Sequence, residues 1–102
     1  MREKDLERYL KERVTGIGGL CWKFTSPGTA GVPDRIVICN RQIVFVELKR
    51  LDGGQLSALQ KRRLWQLSKL GHWAKVIRTA EEVDALIEGL EKGVYRHGRI
   101  IV

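Results

Sequence analysis

Asp34, Glu47 and Lys49 have the types and the spacing to do chemistry together. Asp34 stands at the entrance of one apolar stretch, residues 35–39. Glu47 and Lys49 close a second, residues 43–49. Successive side chains of a strand point to opposite faces. Ile43, Phe45, Glu47 and Lys49 therefore share one face, and Val44, Val46 and Leu48 the other. Residues 40–42 are short enough to make the two strands an antiparallel hairpin. One turn then brings Asp34 back beside the strand end that carries Glu47 and Lys49.

Two carboxylates held close repel each other unless a cation sits between them. Mg²⁺ is a hard cation that takes oxygen ligands and keeps several waters. The carbonyl of Leu48 could supply a further ligand. An ion so held orients an attacking water, lowers its pKa and neutralises charge on a phosphate. Lys49 could polarise that water, help deprotonate it or contact the phosphate. The competing reading is a solvated ion pair at a strand end, which is common and weak.

The surrounding pattern must position these groups. Leu6, Leu10 and Val14 recur at helical spacing, which predicts a helix over residues 3–14. Glu3 and Glu7 project close to the same face, where a carboxylate could reach the edge of the core. They would also suit the helix dipole with no other role. Glycines at 16, 18 and 19 end the helix, and residues 20–24 read as a short strand. A loop of small residues, 25–31, leads into Val32-Pro33, and proline favours an extended Val32. After the hairpin, Gly53-Gly54 breaks the chain. Ser57 and Gln60 form the pattern of a capping box, which predicts a helix to about Leu70 with Leu59, Leu64, Leu67 and Leu70 as its apolar positions. A strand over 72–78 follows. Thr79 and Glu82 make a second capping box, opening a helix with Val83, Leu86, Ile87 and Leu90 on its apolar face. The last four residues read as an edge strand or a contact with another subunit. The expected class is α/β, a central mixed sheet flanked by helices in the order α-β-β-β-α-β-α. One domain spans 1–102, with a core at about 3–90 and a C-terminal tail at 91–102.

Composition narrows the class. The chain has 102 residues, 43% hydrophobic and 30% charged, a globular mixture. No apolar run approaches the ~20 residues that span a bilayer. The first twelve residues are too acidic and too periodic for a signal peptide, so a cytoplasmic or nucleoid-associated location is expected. Lys plus Arg total 19 against 12 Asp plus Glu, a net charge of +7 that favours a polyanionic partner such as nucleic acid. Cys21 and Cys39 lie in apolar segments without metal-site spacing, and read as buried free thiols. Trp22, Trp65 and Trp73 could stack on bases, but core packing is the default for each.

Gly31-Val32-Pro33-Asp34-Arg35 followed by Val46-Glu47-Leu48-Lys49, with Gly53, Ser57 and Gln60 downstream, resembles the VRR-NUC branch of the PD-(D/E)XK nuclease superfamily. The resemblance covers roughly residues 3–90 and implies a restriction-endonuclease-like core. It implies a deoxyribonuclease that hydrolyses DNA phosphodiesters with Mg²⁺ or Mn²⁺. Asp34 and Glu47 match the metal-binding acids and Lys49 the catalytic lysine. Glu3, with Glu7 as the alternate, matches the early helix glutamate, reaching the metal directly or through water. Gln60 matches the family's glutamine, a reading that stands beside its capping role. Members of this size resemble Holliday junction resolvases and are expected to be homodimers on branched DNA. Lys23, Arg35, Lys61, Arg62 and Arg63 are the expected DNA contacts. The alternative is a non-catalytic nucleic-acid-binding module of nuclease-like fold, which leaves two carboxylates in a field meant for phosphate unexplained.

Overall fold

The computed structural model describes residues 1–96. Helix α1 runs Glu3–Gly16, strand β1 Leu20–Lys23, β2 Arg35–Cys39, β3 Gln42–Leu48, α2 Ala58–Lys69, β4 Trp73–Ile77 and α3 Ala80–Lys92. The expected order α-β-β-β-α-β-α is the observed one. The edge strand or subunit contact expected of the last four residues falls outside the described residues. No described helix is long and apolar enough to cross a membrane.

The four strands form one sheet in the order β1-β2-β3-β4. β1 and β3 each pair antiparallel with β2, and β4 joins β3 in parallel. The hairpin closes through Asn40 and Arg41, both at positive φ, 51° and 64°. This is the left-handed pair that a two-residue turn between twisted strands requires. Gln42, expected in the turn, is instead the first residue of β3 and is buried. Its amide donates to the carbonyls of Cys39 and Leu90, and its Oε1 accepts from Tyr95 N at 2.7 Å. A polar side chain is stable there because its hydrogen-bonding groups are matched.

One face of the sheet is fully covered. Val37, Val44, Val46, Leu48 and Ile77 meet Leu6, Leu10 and Val14 of α1 and Val83, Leu86, Ile87 and Leu90 of α3 in a single core. Tyr9 of α1 donates to Asp84 of α3 at 2.6 Å, and Arg13 pairs with the same carboxylate. Cys21 and Cys39 are free and buried, as expected. The other face is covered only in part, by α2, which has no fully buried residue. Two expectations fail on that side. Leu59 and Leu70 are exposed rather than packed, and so are Trp22 and Trp65. Trp73, by contrast, packs against the core, edge-on to Tyr95.

Candidate active site

Asp34 is fixed by the hairpin register. Arg35 pairs with Val46, which sets Asp34 at the level of the end of β3. Its carbonyl accepts from Phe24 N at 2.9 Å, and its Oδ2 accepts from Leu48 N at 2.8 Å. The carboxylate is thus tied to the backbone of the segment that bears Glu47 and Lys49. Glu47 lies in the sheet beside Val76 of β4 and is 2% exposed. Its Oε2 accepts from Gln60 Nε2 at 2.9 Å and faces Lys49 Nζ at 3.6 Å. Its Oε1 is buried with no hydrogen-bond partner. Buried carboxylate oxygens without partners are rare, because the lost hydration goes uncompensated. Burial, reinforced by the charge of Asp34, pushes the Glu47 carboxyl up to about 7, with Lys49 opposing the rise and Glu3 adding to it.

Gln60 makes the expected capping box and also reaches Glu47. Its Oε1 accepts from Ser57 N at 2.9 Å while its backbone N donates to Ser57 Oγ at 3.0 Å. The amide nitrogen is left free to hold Glu47. The capping box therefore orients the amide, a linkage between helix start and site that the motif alone does not reveal.

A cleft of about 310 Å³ opens along Glu3, Lys4, Glu7, Asp34 and Leu48. The two early glutamates differ within it. Glu7 accepts from Arg35 Nε at 3.1 Å, whereas Glu3 is exposed and has no ion pair among the described residues. Glu3 is the acid left open towards Asp34. The same contact corrects the expectation for Arg35. Its guanidinium is buried, bonded to Glu7 and to the carbonyl of Cys21, and so presents nothing to a DNA phosphate. Sequence could not show this, since Glu7 comes from a different element 28 positions away.

Two loops are clamped around the site. Arg63 Nε donates to the carbonyl of Ala30 at 2.9 Å, holding α2 to the loop before Asp34. Gly31, at φ +83°, lies so close to Leu59 that an added Cβ would sit 2.7 Å from its side chain. After Lys49, Arg78 donates to the carbonyl of Arg50 at 3.0 Å and also to that of Gly54. Of the other expected DNA contacts, Lys23, Lys61 and Arg62 are exposed, and Arg63 is partly occupied by Ala30 and Gln66.

No family model matches the chain. It is 42% identical over 78 residues, 76% of its length and 83% of the relative's, to "Putative nuclease p44" of Acyrthosiphon pisum secondary endosymbiont phage 1. A solved structure described as "VRR_NUC domain" superposes with a TM-score of 0.78 at 33% identity, covering 84% of this chain and 94% of that one. This chain belongs to the VRR-NUC family. A second solved "VRR_NUC domain protein", at 18% identity and a TM-score of 0.72 over 90% of this chain, shares the fold. The mixed four-stranded sheet with its flanking helices is therefore the VRR-NUC fold, and Asp34, Glu47 and Lys49 converge at one end of its central hairpin.

Proposed function

We propose that this VRR-NUC domain is a divalent-metal-dependent DNA endonuclease that acts on branched DNA as a homodimer. The observation that carries the reading is the buried, unpartnered Oε1 of Glu47 beside a second fixed carboxylate. A purely structural acid would have found a donor for that oxygen. A cation fits the set because the donors are hard oxygens that repel one another without it. Among the described residues no three His, Cys, Asp or Glu side chains could hold an ion unaided. Mg²⁺ or Mn²⁺ held by two carboxylates and a carbonyl would need waters and a substrate phosphate to complete its shell.

Asp34, Glu47 and the carbonyl of Leu48 would hold the ion, with Glu3 reaching it directly or through water. When bound, the ion supplies charge neutralisation at the phosphate and a water of lowered pKa. Lys49, its ammonium near Glu47 and partly exposed, orients the nucleophilic water for in-line attack on the phosphorus. Gln60 holds Glu47 by Oε2 and leaves Oε1 without a protein partner. Lys23, Lys61 and Arg62 supply backbone contacts, which set register without reading sequence.

Homodimer formation is supported by apolar residues on the open side of the sheet. Leu20 pairs across to Ile38 and Ile43, and Trp22 to Ile36 and Phe45, so all six share one face. Leu20, Trp22 and Ile43 are about half exposed. A second copy on these rows would cover them and set two active sites about a two-fold axis, as paired cuts across a junction require.

The test is cleavage of labelled four-way junction, 5′ flap, single strand and linear duplex, each with Mg²⁺, Mn²⁺ or EDTA. Metal-dependent cutting with symmetric incisions in the junction is expected. Tight binding of folded protein with no cutting of any substrate would overturn the reading in favour of a binding module.

A further inference from the structure

Beside the acidic cleft lies a second, apolar groove of about 490 Å³ that the proposed chemistry does not use. Phe24, Val32 and Pro33 line it from the segment between β1 and β2, Trp65 and Leu67 from α2, and Leu70 from just past the end of that helix. Its volume is in the range of small-ligand sites. Val32 and Pro33 run directly into Asp34, so the groove opens where the chain enters the active site.

Its charge chooses the occupant. Arg63 and Lys69 line the groove too. Helix α2 carries Lys61, Arg62, Arg63 and Lys69 and no Asp or Glu at all. Lys69 Nζ stands 4.8 Å from the centroid of the Trp65 ring, and Trp65 as a whole is 59% exposed. A planar apolar group attached to anions matches an aromatic and aliphatic trough with unbalanced cations. A nucleobase on its phosphodiester backbone is such a group, and indole–base stacking tolerates any sequence. The self-interface proposed above uses the apolar rows of the sheet instead, which leaves the cations of this groove to an anionic partner.

We propose that this groove takes an unstacked base of the DNA strand that is being cut, next to the scissile phosphate. The proposal rests on the nuclease reading and deepens it. Flaps and splayed arms offer such bases ready-made, and the branch point of a four-way junction yields one more easily than continuous duplex does, because stacking is interrupted there.

The experiment measures anisotropy of labelled oligothymidylate and of a duplex, both in EDTA so that no cleavage is needed. Trp65→Ala is expected to weaken single-strand binding about tenfold while duplex binding changes little. Trp65→Phe, which keeps an aromatic face, should retain most of the affinity. Equal weakening on both DNAs, no weakening on either, or a parent protein that does not bind the single strand would overturn the proposal. So would a Trp65→Ala variant that turns a dimer into a monomer in sedimentation while its single-strand to duplex ratio stays at the parent value. That last result would mark the groove as a self-interface. The nuclease reading fails separately, through a parent protein that cuts nothing with Mn²⁺.

Discussion

Glu47 is held in place by a contradiction between burial and charge. Its carboxyl, ordinarily near 4.5, is raised to about 7, first by burial and then by Asp34. The folded metal-free protein therefore binds this proton more tightly than the unfolded chain. The stabilisation it represents is fully present below about pH 4.5 and is lost as pH rises to about 7. A shift of this size corresponds to roughly 3 kcal/mol. In EDTA, the melting temperature should fall between pH 5 and pH 7.5 more steeply for the parent than for Glu47→Gln, and Mn²⁺ should restore the parent near neutrality. Equal slopes for parent and variant would show that Glu47 is not the strained group. Gln60 offers a second check at this scale. Gln60→Ala removes the cap acceptor and the donor to Glu47 together, so a loss of about 1 kcal/mol in stability is expected from the cap. A fall in Mn²⁺ affinity by calorimetry should accompany it. That Asp34, Glu47 and Lys49 come together was legible in the sequence, because strand alternation and a short turn are local rules. The burial of Arg35 was not, because its partner Glu7 arrives from α1 through tertiary packing.

The elements that carry the site are pinned to one another by backbone contacts. Gly31 shows how little slack remains. Its φ of +83° is costly for any residue with a Cβ, and the Cβ would also press on the side chain and backbone of Leu59. Gly31→Ala is expected to cost about 1–2 kcal/mol from the left-handed backbone alone. It should also lower cleavage by shifting the loop that leads to Asp34. Thermal melts and cleavage rates of the same preparation check both, and an unchanged protein would show that the loop yields. Both capping boxes and the helical stripes of α1 and α3 were legible, since each depends on spacing within one segment. The parallel docking of β4 on β3 was not, because nothing within a short strand names its neighbour. The apolar positions of α2 misled for a related reason. Leu59 and Leu70 follow a plausible helical pattern, yet both are exposed, because the sheet face beside α2 is left partly open.

Across the molecule, charge and open apolar surface divide the work. The net charge of +7 predicts binding to DNA that weakens steeply with salt. Lys61→Ala and Arg62→Ala should each lower the salt slope by about one if each meets a phosphate, and an unchanged slope would remove that residue from the contact surface. The rows Leu20–Ile38–Ile43 and Trp22–Ile36 predict self-association instead. Sedimentation should give twice 11.7 kDa for the parent at micromolar concentration and 11.7 kDa for Ile43→Glu. A parent that is strictly monomeric would count against paired incision. Composition announced a polyanion partner, but only the tertiary structure separates a cationic helix from the apolar rows of the open sheet face.

The most direct measurement is the single-turnover cleavage rate of a labelled four-way junction in Mn²⁺ for the parent and for Lys49→Ala, with DNA binding measured beside it. Cutting by the parent that stops in EDTA is expected, with a loss of at least a hundredfold in the variant, in line with removal of a side chain that acts on the attacking water, while binding is retained. Cleavage by Lys49→Ala at the parent rate would contradict it.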